Sequence, residues 1–264
     1  MKKTVYILFL FSFFLGNNTQ GQNLEYLPDP TFKEGEELTY KLRYGIISAA
    51  TGSLKVEKSD LRFSNPNTFL LKAQGKTSGA FSVFYTVENY YRSYIDGDNF
   101  MPYLYTEDIQ EGRYTRKEYA LFDHRNRKVK GKKGTFTSPT AQFFDLVSAY
   151  YFSRNLDLSK MKKGDRFEIT YFLNDEIATL GVTYIGVETI NTSLGRLECI
   201  KLSPDIKPGR IFKESSRLYL WVTNDGNRIP VKANVEILIG SVTMELVKAK
   251  GLKHPLGKRV SYSK

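Results

Sequence analysis

Gly35-Glu36-Glu37-Leu38-Thr39-Tyr40-Lys41-Leu42 and Gly164-Asp165-Arg166-Phe167-Glu168-Ile169-Thr170-Tyr171 decide the fold. Each opens with a glycine and an acid and then places an apolar side chain at every second position, the period of a half-buried β-strand. The offset between them is 129 residues, from Gly35 to Gly164. Turn residues downstream keep it. Gly45 falls on Asn174, Gly52 on Gly181, Pro66 on Gly195, Gly75 on Pro204, Gly79 on Pro208 and Asp96-Gly97 on Asp225-Gly226. With one residue dropped after that turn, Pro102 falls on Pro230 and Gly112 on Gly240. Turn residues fix backbone geometry directly, so shared punctuation implies a shared path. The expected fold is all-β with one main helix: two tandem antiparallel meanders of about six strands each, forming curled sheets or half-barrels, with the helix between the copies. Asp96-Gly97 and Asp225-Gly226 read as hairpin turns, and Phe81–Ile95 as one long strand.

Ser138 to Arg154 is the stretch that stops reading as strand. Phe143, Leu146, Val147, Tyr150 and Tyr151 recur at helical spacing, with Asp145, Ser148, Ala149 and Phe152 on a second stripe. Ser138 fits an N-cap, Pro139 the first helical position and Arg154 the last turn. Such a helix would be a lid or wedge between two sheets. The chain then divides into a signal peptide (1–21), an extended arm (22–34), a first meander (35–136), a linking helix (137–160), a second meander (161–250) and a basic tail (251–264).

Met1-Lys2-Lys3 followed by an uncharged run from Thr4 to Leu15 reads as an export signal, with Thr19 and Gly21 before a mature start at Gln22. The apolar run is short for a bilayer span, and no cysteine stands near the cleavage point to take a lipid. The one cysteine, Cys199, lies in a strand pattern and reads as a small buried hydrophobe. The net charge of +11 points an exported protein towards anionic surfaces, such as lipid phosphates or acidic polysaccharide, rather than nucleic acid. Tyrosine and phenylalanine number 18 each, a content that suits half-buried pleated surfaces.

Phe32-Lys33-Glu34-Gly35-Glu36 leading to Tyr40 and Tyr44-Gly45, Asp145 to Arg154 with Ser148 and Tyr151 between, and Trp221 to Asp225 followed by Arg228-Ile229-Pro230, Gly240 and Leu246 together resemble the exported bacterial domain-of-unknown-function family 3108 (DUF3108). The resemblance covers nearly all of residues 32 to 250. It implies an all-β chain in a Gram-negative cell envelope, most simply the periplasm, with the cell surface or the medium as alternatives. It supplies no reaction, cofactor or site.

No nucleophile elbow, phosphate loop, zinc helix, paired cysteines or dinucleotide fingerprint is present. The two histidines, His124 and His254, lie in basic segments that read as exposed. No catalytic, metal or cofactor site is expected, though two carboxylates could still meet from distant strands. The expected protein is a non-enzymatic envelope component that holds a lipid-like, hydrophobic or anionic ligand in a groove between sheets and helix. Tyr150, Tyr151, Arg154 and Trp221 are the candidate ligand contacts. Arg125, Arg127, Lys128 and Lys130 are the candidate anion contacts, with a solvated edge strand as the simpler explanation. The alternative is an interaction module that binds another envelope protein or acidic polysaccharide through basic, tyrosine-rich faces. Peripheral membrane contact fits either reading; a transmembrane helix in the mature chain fits neither.

Overall fold

A computed structural model describes residues 25–27, 29–206, 215–238 and 240–257. The expected export signal, the start at Gln22, the match of Gly79 to Pro208 and the end of the basic tail lie outside them. Among the described residues fourteen strands form one antiparallel sheet in the order β8-β7-β6-β5-β4-β3-β2-β1-β14-β13-β12-β11-β10-β9. The first half runs β1 (Glu37–Tyr44), β2 (Ile47–Lys58), β3 (Thr68–Thr77), β4 (Val87–Asp96), β5 (Pro102–Glu111), β6 (Tyr114–Asp123), β7 (Lys128–Gly131) and β8 (Gly134–Thr137). The second runs β9 (Arg166–Leu173), β10 (Glu176–Thr192), β11 (Gly195–Pro204), β12 (Leu218–Thr223), β13 (Pro230–Glu236) and β14 (Ser241–Lys250). Each half is a sequential meander. The two meanders, whose joining the turn pattern leaves open, share one sheet, because β1 pairs along its whole length with β14.

The turn spacing recurs in the backbone. β1 and β9 keep the offset of 129 at both ends. Gly35 and Gly164 have φ of 87° and 96°, and Gly45 and Asn174 have 55° and 53°. The Asp-Gly pairs are not two-residue hairpins. Each aspartate instead accepts from the two amides after the glycine: Asp96 Oδ1 from Asp98 and Asn99 at 2.9 and 3.3 Å, Asp225 Oδ1 from Asn227 and Arg228 at 2.9 and 3.2 Å. The positive φ falls later, on Phe100 and Arg228. Gly97 is required for a close approach, since a Cβ there would lie 2.5 Å from the Asn67 side chain.

Two helices interrupt the strands among the described residues. α1 (Ala80–Phe84) takes the start of what reads as the long strand Phe81–Ile95, leaving β4 to begin at Val87. α2 (Leu146–Arg154) begins seven residues later than Ser138-Pro139 suggests. Its N-cap is Asp145, whose Oδ1 accepts from Val147 and Ser148 amides at 2.8 and 3.0 Å while Ser148 Oγ accepts from the Asp145 amide at 3.0 Å.

The segment ahead of α2 stays extended and covers a free strand edge. Phe144 N donates to Thr170 O at 3.0 Å and Phe172 N donates to Phe144 O at 2.7 Å, a parallel bridge on β9. The sheet curls until its ends meet. Phe136 of β8 packs on Phe172 of β9 with ring centroids 5.4 Å apart, and Lys133 Nζ lies 3.8 Å from Asp175. No ladder joins β8 to β9 among the described residues, so the barrel is open at this seam.

α2 packs on β3, β4 and β9 inside the curl. Phe32, Phe143, Phe144, Val147, Tyr151 and Phe152 meet Val56, Leu71, Ile95, Phe122 and Phe172 in the main core. A smaller core gathers Leu38, Tyr40, Cys199, Trp221, Ile229, Val231 and Leu246, joined by Leu252 and Leu256 of the tail. That part of the tail is docked: His254 N donates to Asn227 Oδ1 at 2.9 Å and Gly257 N to Asp225 Oδ2 at 2.7 Å.

Candidate functional site

Arg154, at the end of α2, has a side chain 1% exposed and faces a Glu36 side chain that is fully buried. Its guanidinium grips the carboxylate in two bonds, Nη1 to Oε1 at 2.6 Å and Nη2 to Oε2 at 2.8 Å. Nε and Nη2 donate to Asn227 O at 3.0 and 2.9 Å, and Nη2 also reaches Thr31 O at 3.3 Å. The rings of Phe32, Tyr150 and Tyr151 lie 5.2 to 5.8 Å from the guanidinium carbon. Burial works against the charge, but Glu36 outweighs it and raises the Arg154 pKa. This clasp ties the arm, the start of β1 and the β12–β13 turn to the helix, and the donors of Arg154 are spent on the protein itself. Asn155 adds a bond from Thr31 N at 2.9 Å.

Tyr150 and Tyr151 stand beside Arg154. The Tyr150 hydroxyl shares a 3.1 Å bond with Tyr40, and burial pushes its pKa up to about 12. Tyr151 is fully buried and its hydroxyl lacks a hydrogen-bond partner, with its pKa also raised by burial.

Trp221 belongs to the smaller core, away from this group. Its Nε1 donates to the Glu188 carboxylate, and Lys201 and Lys232 place their ammonium groups 4.8 and 5.4 Å from its ring centre. Cys199 is fully buried nearby, its thiol pushed up to about 12 by burial. His124 is not exposed as its basic neighbours suggest: Nε2 lies 2.7 Å from Pro102 O, the ring packs on Phe143, and burial lowers its pKa.

Arg125, Arg127, Lys128 and Lys130 are all exposed, and none forms an ion pair among the described residues. Lys128 and Lys130 sit opposite Asp123 and Leu121 across the β6–β7 ladder. Residues directly opposite share a face, so Lys117, Tyr119, Leu121, Asp123, Lys128 and Lys130 line the outside of the sheet, with Lys117 paired to Asp108 at 2.8 Å. Thr106 links Tyr119 to Arg92 in the same row. Tyr119 and Leu121 are 46% and 45% exposed.

A cleft that the sequence reading missed lies at one mouth of the curl. Arg116 Nη2 meets Glu107 Oε1 at 2.6 Å and Nη1 donates to Asn174 Oδ1 at 3.0 Å. The Tyr105 hydroxyl donates to Glu107 Oε2 at 3.0 Å, and Glu118 lies opposite Glu107 in the ladder. Burial raises the Glu107 pKa against the pull of Arg116. The signal was present: Glu107 and Glu111 alternate with Tyr105 and Ile109 on the buried face of β5. The cleft has a volume of about 10 Å³, room for roughly one water and far below the roughly 300–1,000 Å³ of small-molecule sites. No cluster of His, Cys, Asp or Glu suited to a metal occurs among the described residues, and the Asp96 and Asp98 carboxylates are taken up by Asn65, Asn67 and Tyr103.

The model of the family described as "Protein of unknown function (DUF3108)" matches residues 39–247. The chain belongs to the DUF3108 family. A search of curated proteins returns no match. Among solved structures, this family member is similar to a β-barrel-like DUF1849 protein from Brucella abortus at 13% identity and a TM-score of 0.52, over 81% of this chain and 96% of that one. A candidate exported protein with a YmcC-like fold from Bacteroides fragilis matches at 14% identity and a TM-score of 0.39, over 86% and 99%. A candidate lipoprotein from Parabacteroides distasonis matches at 11% and 0.37, over 87% and 100%. The first supports the barrel-like fold alone. No helix among the described residues is long and apolar enough to cross a membrane.

Proposed function

We propose that this DUF3108 protein is an exported envelope component that acts by binding rather than catalysis, as an interaction module whose outer basic face holds an acidic polymer such as an acidic polysaccharide. The observation that carries this reading is the packing of α2 and its aromatic rings into the concave face. A lipid-like ligand between helix and sheet would need that volume, and Tyr151 and Arg154 already fill it. Support for the outer face is Lys128 and Lys130 of β7, exposed and without an ion pair among the described residues, beside the exposed Tyr119 and Leu121 of β6. A polymer of carboxylated sugars matches such a face, taking its charge on the lysines and its ring faces on the tyrosine.

Binding of a polyuronate to the wild type and to a Lys128→Glu/Lys130→Glu variant, measured against salt, tests this. The expected result is a loss of binding in the variant and a steep decline with salt in the wild type. Equal binding by both proteins would defeat the reading.

A further inference from the structure

Successive antiparallel strands bring every second connection to the same end of the sheet. Three of these lie side by side: the β1–β2 turn, the β3–β4 connection that contains α1, and the β13–β14 turn. Gly45 N donates to Ser241 O at 3.0 Å, joining the first to the third, and Ser78 N donates to Ala49 O at 3.0 Å, joining the first to the second. Gly45–Ser48, Ser78–Thr86 and Ile237–Ser241 contain no charged residue. Connections that face water are ordinarily polar, and runs of exposed apolar residues ordinarily serve a purpose. Here Ile46 is 98% exposed, Val83 81%, Ile47 48% and Leu238 47%.

We propose that this end of the sheet docks on a lipid bilayer that carries anionic headgroups, with Ile46, Ile47, Val83 and Leu238 entering the acyl boundary. The exposed apolar side chains are spread over three neighbouring turns, an arrangement that suits a deformable acyl layer. Charge complements it. Lys76, Arg113, Lys132 and Lys133 are exposed at the same end, against the half-buried Glu88 opposite Lys76, Glu118 at 3.9 Å from Lys132, Asp175 at 3.8 Å from Lys133 and Glu236 beside the β13–β14 turn. Cations at headgroup depth attract anionic lipids, and shallow apolar insertion adds to that attraction. The surface is distinct from the outer face of β6 and β7, so the two readings stand or fall separately.

Flotation with vesicles of phosphatidylglycerol and phosphatidylethanolamine, and with phosphatidylcholine alone, tests the docking end. The wild type and an Ile46→Asp/Val83→Asp/Leu238→Asp variant carry the same amino-terminal segment, so the difference between them reads the tips. The expected result is binding of the wild type to the anionic vesicles, at least about tenfold weaker binding by the variant, and an unchanged melting temperature. Should the triple variant lose stability, Ile46→Asp alone, at the most exposed position, repeats the test. Equal flotation of wild type and variant would overturn the proposal. So would wild-type self-association that the variant abolishes without any vesicle binding, which would make the patch a protein contact.

Discussion

Arg154 shows how a single buried cation fixes the geometry around it. Removing it would strand Glu36 without a counter-charge, so Arg154→Met should cost about 3–5 kcal/mol in urea denaturation, and the double variant with Glu36→Leu should recover part of that loss. Tyr151 offers a contrast within one side chain. Its ring is packed while its hydroxyl has no partner, so Tyr151→Ala should cost about 3–5 kcal/mol and Tyr151→Phe close to nothing. Asp145 adds a pH dependence. Burial holds its carboxyl above the ordinary carboxylate range despite donors from Ser93, Ser148 and Val147. The folded chain therefore keeps that proton to a higher pH than the unfolded chain. Its contribution to stability rises as pH falls from the raised value towards the unfolded one, and Asp145→Asn should remove that rise, as read by denaturation at about pH 4 and about pH 7.

At the scale of elements, the seam between β8 and β9 is the least supported join. The lead-in to α2 partly protects it, because Phe144 supplies β9 with the backbone partners that β8 does not. Phe144→Pro removes the donor to Thr170 and should expose the edge, giving oligomers on size exclusion, whereas Phe144→Leu keeps the N–H and should stay monomeric. This element also shows where the sequence misleads. Ser138-Pro139 satisfies the local rules for a helix start, yet the free edge of β9 recruits Phe144 as a strand partner, and no local rule reports a distant edge. The helix starts at the next signal, Asp145 with Ser148 three residues on, which was equally readable. The strands of both halves were legible apart from β7 and β8, because glycine and asparagine at positive φ leave a mark independent of partners, and the first half holds eight strands among the described residues where six were expected. The polar cleft was legible only in the acids on the buried face of β5, since Glu107 and Arg116 belong to the β5–β6 hairpin but Asn174 lies in the β9–β10 turn, which only the curl brings to them. Arg154 was legible as a polar contact, but its partner Glu36 lies 118 residues away, beyond what spacing can show.

At the scale of the molecule, one open sheet carries a filled concave face, a basic outer face and an apolar end. Hydrogen exchange should grade it: amides of β8, laddered only to β7, should exchange faster than those of β1 and β14, which are laddered on both sides.

The pairing of β1 with β14 has a consequence for the birth of the protein. The first and last strands to emerge from the ribosome are neighbours in the middle of the sheet, so neither meander can be sealed at that edge until the final residues of β14 have been made and delivered. Until then β1 and β13 each present an unpaired edge, and a chain stopped at Gly240 would remain in that state permanently, a substrate for chaperones and proteases instead of a folded protein.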